Sequence, residues 1–196
     1  MTSKARVEAL VDGIFAVSMT LLVLDIKLPD GARLESNADL IGHFASISQL
    51  LEVYVLSFVV LAMFWVAHGF QFHFVEKVDK PLLWINFAFL LLTTTVPFTT
   101  NVVSTHGKLS VAVTVYSANL LLLAAALFVH LDRLRHHPQL ATKELTPALG
   151  KSIQWRLTVI CATAVIAAAL AQITPTWGLR SLYLLALLHF SPRRAD

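Results

Sequence analysis

Six long apolar segments take up most of this 196-residue chain and constrain its fold more than any other feature. A helix that crosses a bilayer needs about 20 mostly apolar residues. We therefore predict an all-α membrane protein, a single domain over residues 1–196 with six transmembrane helices. The predicted spans are residues 7–28, 47–72, 82–103, 109–131, 153–174 and 177–190, of which the last is the shortest.

The composition and the missing motifs exclude most soluble classes of protein. Hydrophobic residues make up 57% of the chain and charged residues 14%, whereas soluble domains carry about 25% charged residues. The sequence contains no glycine-rich phosphate loop, no G-x-S-x-G elbow and no H-E-x-x-H, so we do not expect an enzyme. Its basic residues are scattered between the apolar blocks, which argues against a nucleic-acid partner.

The positions of lysine and arginine predict how the chain crosses the membrane. With six spans, one side holds both termini and the connections that follow the second and fourth spans. Cytoplasmic segments carry the excess of basic residues, so we expect both termini in the cytoplasm. Eleven of the 15 basic residues lie on that side: Lys4, Arg6, Lys77, Lys80, Arg133, Arg135, Lys143, Lys151, Arg156, Arg193 and Arg194.

Asp12 lies inside the first span, where an ionisable group is costly and needs a partner. Arg6 lies about 120° away around the helix and cannot be that partner. Trp65 and His68, three positions apart in the second span, share a face and carry N–H donors suited to a carboxylate. These three side chains either fasten two helices together or relay protons, and the sequence leaves both readings open.

The opposite side of the first span carries an aliphatic stripe. Val17, Leu21 and Leu24 recur at helical spacing, with Thr20 at the edge of the stripe. On a membrane helix such a stripe normally contacts lipid or another helix, and a pore lining is the alternative.

Pro97 interrupts the third span within a threonine-rich stretch. Proline frees a backbone carbonyl, and threonine hydroxyls can bond back to their own helix. The stretch is therefore a local kink or, as broken helices are in some transporters, a binding site. Six histidines, His130 among them, lie at span ends or in loops without metal-ligand spacing, so we expect no metal.

Two motifs carry a resemblance to a known family. Arg6 and Asp12 occupy the first and last positions of an Arg-x-x-x-Phe-Ser-Asp hallmark, with Leu10 and Val11 in place of Phe and Ser. Trp-Val-Ala-His in the second span matches a Trp-x-x-His motif. The chain thus resembles the single-repeat prokaryotic members of the transmembrane protein 175 family, the lysosomal potassium channels.

That resemblance implies a homotetramer of six-helix subunits in the bacterial inner membrane, with the first helix of each lining a central pore. It implies a passive potassium-permeable cation channel whose constriction consists of rings of Val17, Leu21 and Leu24, with Thr20 adding a hydroxyl layer. The expected partners are further subunits, monovalent cations and lipid, and no cofactor is expected beyond the permeant K⁺.

The resemblance also implies that Arg6, Asp12, Trp65 and His68 form a network that anchors the pore helix. Three other functions remain open on the sequence alone: a secondary transporter that uses the broken third span, a proton-conducting protein and a non-conducting scaffold.

Overall fold

A computed structural model describes residues 3–27 and 36–190, the last seven of them by their backbone alone. Residue 28, the last residue of the first predicted span, lies outside the described residues. So do Arg33, Arg193 and Arg194, three of the 15 basic residues counted above. The described chain is all-helical, as predicted. Its α-helices are α1 (Lys4–Leu21), α2 (Asn37–Ser46), α3 (Ser48–His73), α4 (Lys80–Thr94), α5 (Val96–His106), α6 (Ser110–His136), α7 (Pro147–Ile173) and α8 (Pro175–Phe190).

The first span is not α-helical throughout. The side chain of Ser3 caps α1 by accepting from the backbone N–H of Arg6. After Leu21 the chain tightens into a 3₁₀ turn, Leu22–Asp25. The residues at the far end of the span are therefore placed by a tighter helix than the sequence pattern implied.

The connection between the first two predicted spans contains the helix α2. Ser36 and Asp39 form a capping box in which each side chain bonds the other's backbone N–H, and this fixes where the helix begins. All residues of α2 remain accessible, and Ile41 and Phe44 are exposed.

The third span is broken in two, at the position that the threonine-rich stretch indicated. Helix α4 ends at Thr94, and α5 begins at Val96 with Pro97 in its first turn, where a missing N–H costs little. Thr93 donates to Phe89 O and Thr95 to Leu92 O, so these hydroxyls return to their own helix.

Helix α6 forms the centre of the bundle, and the alanine-rich α7 packs along it and against α8. The α7–α8 contact is close: a Cβ added at Gly178 would lie 2.7 Å from Ala167 O and 2.8 Å from Ala171 Cβ. Small residues therefore set the distance between these two helices.

In the described residues, five helical segments are long and apolar enough to cross a membrane. The 16 residues of α8 reach about 24 Å at 1.5 Å per residue, short of a hydrocarbon core of about 30 Å.

The start of α1, the α3–α4 connection and the α6–α7 connection meet at one end of the bundle. Lys4 Nζ donates to His73 O at 3.1 Å, and Val75 pairs with Ala141 in an antiparallel bridge.

Candidate pore-lining helix and its anchoring contacts

Helix α1 divides cleanly into a buried face and an exposed face. The buried face packs on α3, α4 and α5 and consists of Val7, Val11, Phe15 and Ser18, continued by Leu22 in the 3₁₀ turn. These residues are three or four positions apart, which is about one turn of helix, so the buried face continues from α1 into the 3₁₀ turn. The other half of the helix is not covered by the residues that the structure describes.

All four residues predicted to line a pore lie on the exposed face. Val17 is 54% exposed, Leu21 43% and Leu24 60%. Thr20 is exposed between them, and its hydroxyl donates to the carbonyl oxygens of Ala16 and Val17. The subunit therefore presents an almost uniformly aliphatic strip with one hydroxyl in it.

Asp12 lies at one edge of this exposed face and is held by the second span. Trp65 Nε1 donates to Asp12 Oδ1 at 2.8 Å, a charge-assisted hydrogen bond between α1 and α3. A groove open to the surface runs between these two helices at this point. It is lined by Glu8, Val11, Asp12, Trp65, Val66, His68, Gly69, Phe70 and Phe72.

The two other members of the predicted anchoring network lie apart from this bond. His68 lines the same groove, but its Nε2 donates to Asn86 Oδ1 on α4 at 2.8 Å and not to Asp12. Arg6 is exposed, and its side chain makes no ion pair with any residue in the described ranges. The nearby carboxylate of Glu8 faces Lys4 instead, at 3.9 Å.

A polar cluster in the subunit core, which sequence reasoning missed, surrounds His68. His130, predicted to lie at a span end, is buried and donates through Nδ1 to Gln71 Oε1 at 3.0 Å. The two imidazole rings lie 5.8 Å apart, and the ring of His68 stacks between Phe72 and Phe89. The polar residues of this cluster come from α3, α4 and α6, so no short sequence motif contains them all.

A second buried amide holds the break in the third span. Asn119 on α6 donates to Thr99 Oγ1 in α5 at 3.2 Å. Its Oδ1 lies 3.1 Å from the Oγ1 of Thr95, the residue at the break, and shares the one hydroxyl proton of Thr95 with Leu92 O. Since Asn119 uses both its carbonyl and its amino group in this way, the break has the character of a clamped kink.

One ion pair stabilises the end of the bundle where α1 begins. Asp79 caps α4 by accepting from the backbone N–H of Leu82, and Arg133 on α6 donates to its other carboxylate oxygen. Partial desolvation would raise the pKa of Asp79, but the bonds from Arg133 and Leu82 outweigh it and hold this pKa below its ordinary value.

No group of three or more metal-ligating side chains occurs within residues 3–27 and 36–183. The histidine pair in the core has amides as its remaining polar neighbours, which are poor ligands for a transition metal.

Comparison with known proteins identifies the family. A family profile described as the endosomal/lysosomal potassium channel TMEM175 matches residues 6–97. A potassium channel of Streptomyces collinus is 34% identical over 143 residues, which are 69% of this chain and 68% of that protein. The chain belongs to the TMEM175 family.

Other TMEM175 proteins agree in fold and differ in length. The crystal structure of a homolog, from Chamaesiphon minutus, of the lysosomal potassium-selective channel TMEM175 superimposes with a TM-score of 0.80 at 26% identity, covering 95% of each chain. The human endosomal/lysosomal proton channel TMEM175 is 32% identical over 89 residues, which are 43% of this chain and 18% of the human protein. The chain thus belongs to a family of ion channels, shares the fold of the Chamaesiphon homolog and matches one part of the longer human protein.

Proposed function

We propose that this chain is the subunit of a potassium-permeable cation channel that conducts passively through a central pore lined by α1 of each subunit. The observation that carries the proposal is the exposed aliphatic face of α1, which the described part of the chain leaves uncovered. The relatives that are named potassium channels are the reason for proposing K⁺ as the permeant ion.

Asp12 gives a reason to place this face inside an assembly and not against lipid. The carboxylate lies at the edge of the exposed face and remains accessible in the isolated subunit. A charge that faces hydrocarbon is costly, whereas one that borders a water-filled path or a neighbouring subunit is tolerated. A helix with this carboxylate at its edge is therefore better suited to line a pore than to face lipid.

In such a pore, Val17, Leu21 and Leu24 would form successive apolar rings with Thr20 between them. Hydrophobic constrictions can gate by dewetting, and an ion that sheds its hydration more easily passes them at lower cost. K⁺ is less strongly hydrated than Na⁺, so the proposal predicts moderate selectivity for K⁺. The assembly that the resemblance implies is a homotetramer.

The distribution of charge supports an orientation with both termini in the cytoplasm. Basic residues concentrate at the end of the bundle where α1 starts, which is also the end that holds the α3–α4 and α6–α7 connections. The positive-inside rule assigns that end to the cytoplasm.

Cysteine modification tests whether α1 lines the pathway. Leu24→Cys is placed in a Cys161→Ala background, since Cys161 is the single native cysteine, and K⁺ flux is measured in liposomes. We expect a water-soluble cationic thiol reagent to reduce the flux severalfold. The matched control is Leu122→Cys on α6, similarly exposed at 52% but outside the α1 face. Inhibition of Leu122→Cys with no effect at Leu24→Cys would move the pathway away from α1.

Ion substitution separates the channel from the alternative functions. A passive channel carries K⁺ down its gradient without a second solute, and a transporter shows saturable coupled exchange. Because the human relative is named a proton channel, a pH gradient without K⁺ is included. Flux that requires only this gradient would replace potassium with protons as the permeant ion.

A further inference from the structure

The polar cluster around His68 and His130 lies where each side chain has little contact with solvent. His68, Gln71, Asn86 and His130 are each at most 3% exposed. Their two hydrogen bonds, His68 to Asn86 and His130 to Gln71, form two separate pairs. Aromatic rings of Phe72 and Phe89 cover part of the remaining surface and offer no hydrogen-bond partner comparable to an amide.

Three polar atoms of the cluster have no partner among the described residues. They are Gln71 Nε2, Asn86 Nδ2 and His130 Nε2, and each is fully enclosed. Buried amides and imidazoles in native proteins are almost always bonded to protein or to ordered water. Three such atoms in one cluster therefore point to a ligand that completes it.

Reassigning the side chains does not remove the deficit. If the amide of Gln71 or Asn86 is turned by 180°, its oxygen takes the place of the unpaired nitrogen and is unpaired in turn. The neutral imidazole of His130 has one nitrogen on Gln71, and the other stays without a partner in either tautomer. The missing partner must come from outside these four side chains.

The unpaired atoms have the chemistry of a water site. In the assigned orientation two are N–H donors and one is an imidazole acceptor. A water molecule can accept from an amide N–H and donate to an imidazole nitrogen, and buried waters typically make about three hydrogen bonds. The cluster has no carboxylate, so a cation has no counter-charge there.

We propose that His130, Gln71 and Asn86 bind ordered water between α3, α4 and α6, and that this water enters from the groove beside Asp12. His68 connects the two places, since it lines the groove and bonds Asn86 in the cluster. Water thus links α3, α4 and α6 in addition to their direct side-chain hydrogen bonds. The inference does not depend on which ion the channel conducts.

Water-edited solid-state NMR on the full wild-type chain in liposomes tests this site. The side-chain N–H signals of Gln71 and Asn86 are assigned by their loss in Gln71→Met and Asn86→Leu. We expect them to receive magnetisation from water severalfold faster than the side-chain N–H₂ of Asn119. Asn119 is the matched control, a buried amide of the same kind whose oxygen and nitrogen are both bonded to threonines.

Equal, slow transfer to Gln71, Asn86 and Asn119 would overturn the proposal. A density map of the assembly in lipid provides a second measurement that needs no variant. Water density within hydrogen-bond distance of at least two of the three atoms supports the site. A map in which those atoms bond directly to other side chains, with no such density, contradicts it.

Discussion

Helices α1 and α6 are both apolar enough to cross a membrane, yet the subunit uses them differently. In their most apolar stretches, 28% of the residues of α1 are buried and 50% of those of α6. Helix α6 contacts α4, α5 and α7 extensively, whereas α1 packs by one face alone. Hydropathy finds both spans, but burial separates the helix that holds the subunit together from the helix that faces outward.

The comparison extends to polar contacts. Helix α6 is tied into the core by Tyr116, Asn119 and His130, which bond to α3 and to the α4–α5 break. In α1, Asp12 bonds to α3 through Trp65, and Lys4 at the start of the helix donates to His73 O. A helix fastened in this way leaves its other face available for the contacts between subunits that the proposed channel requires.

The largest expected effect comes from shortening one leucine on each helix. Leu120→Ala on α6 removes a fully buried side chain, and we expect a loss of about 3 kcal/mol in the free energy of unfolding. Leu24→Ala on α1 removes an exposed one and should change the stability of the subunit by less than about 0.5 kcal/mol. Unfolding by denaturant in detergent, with the subunits dissociated, measures both.

The same two variants can also show that the contrast between α1 and α6 is wrong. If Leu24→Ala destabilises the dissociated subunit as much as Leu120→Ala does, then the exposed face of α1 is part of the subunit core. In the assembled protein, by contrast, Leu24→Ala should alter K⁺ flux at unchanged subunit stability.

A smaller effect should come from the bond that attaches α1. A double-mutant cycle with Asp12→Ala and Trp65→Phe isolates the hydrogen bond between them, and we expect a coupling of about 1.5 kcal/mol because one partner is charged. The control cycle pairs Asp12→Ala with Asn86→Ala, whose bond goes to His68. Its coupling should lie within about 0.5 kcal/mol of zero. Equal coupling in both cycles would show that Asp12 and the core cluster act as one network.

Sequence reasoning found the five long apolar helical segments, the break near Pro97 and the contact of Asp12 with Trp65, because each rests on local pattern or on the cost of one charge in an apolar run. It missed α2, whose ten residues are too short and too polar to show in a search for spans. It assigned His68 to Asp12 and His130 to a span end. Those contacts depend on how α4 and α6 are rotated about their axes, which an almost uniformly apolar helix does not encode in its own periodicity.

The smallest expected effect concerns the ion pair that α6 makes at the end of the bundle. Because the folded state holds the pKa of Asp79 below its ordinary value of 3.8, the charged pair stabilises the protein above about pH 4 and loses this contribution as pH falls through the lowered pKa. Asp79→Asn keeps a side chain able to cap α4 but removes the charge. Its cost should therefore be at most about 1 kcal/mol at pH 7 and should shrink towards zero in acid. Melting temperatures of both proteins between pH 7 and pH 3 measure this difference. A gap that stays constant over that range would assign the role of Asp79 to capping alone, and α6 would then hold this end of the bundle by packing and not by charge.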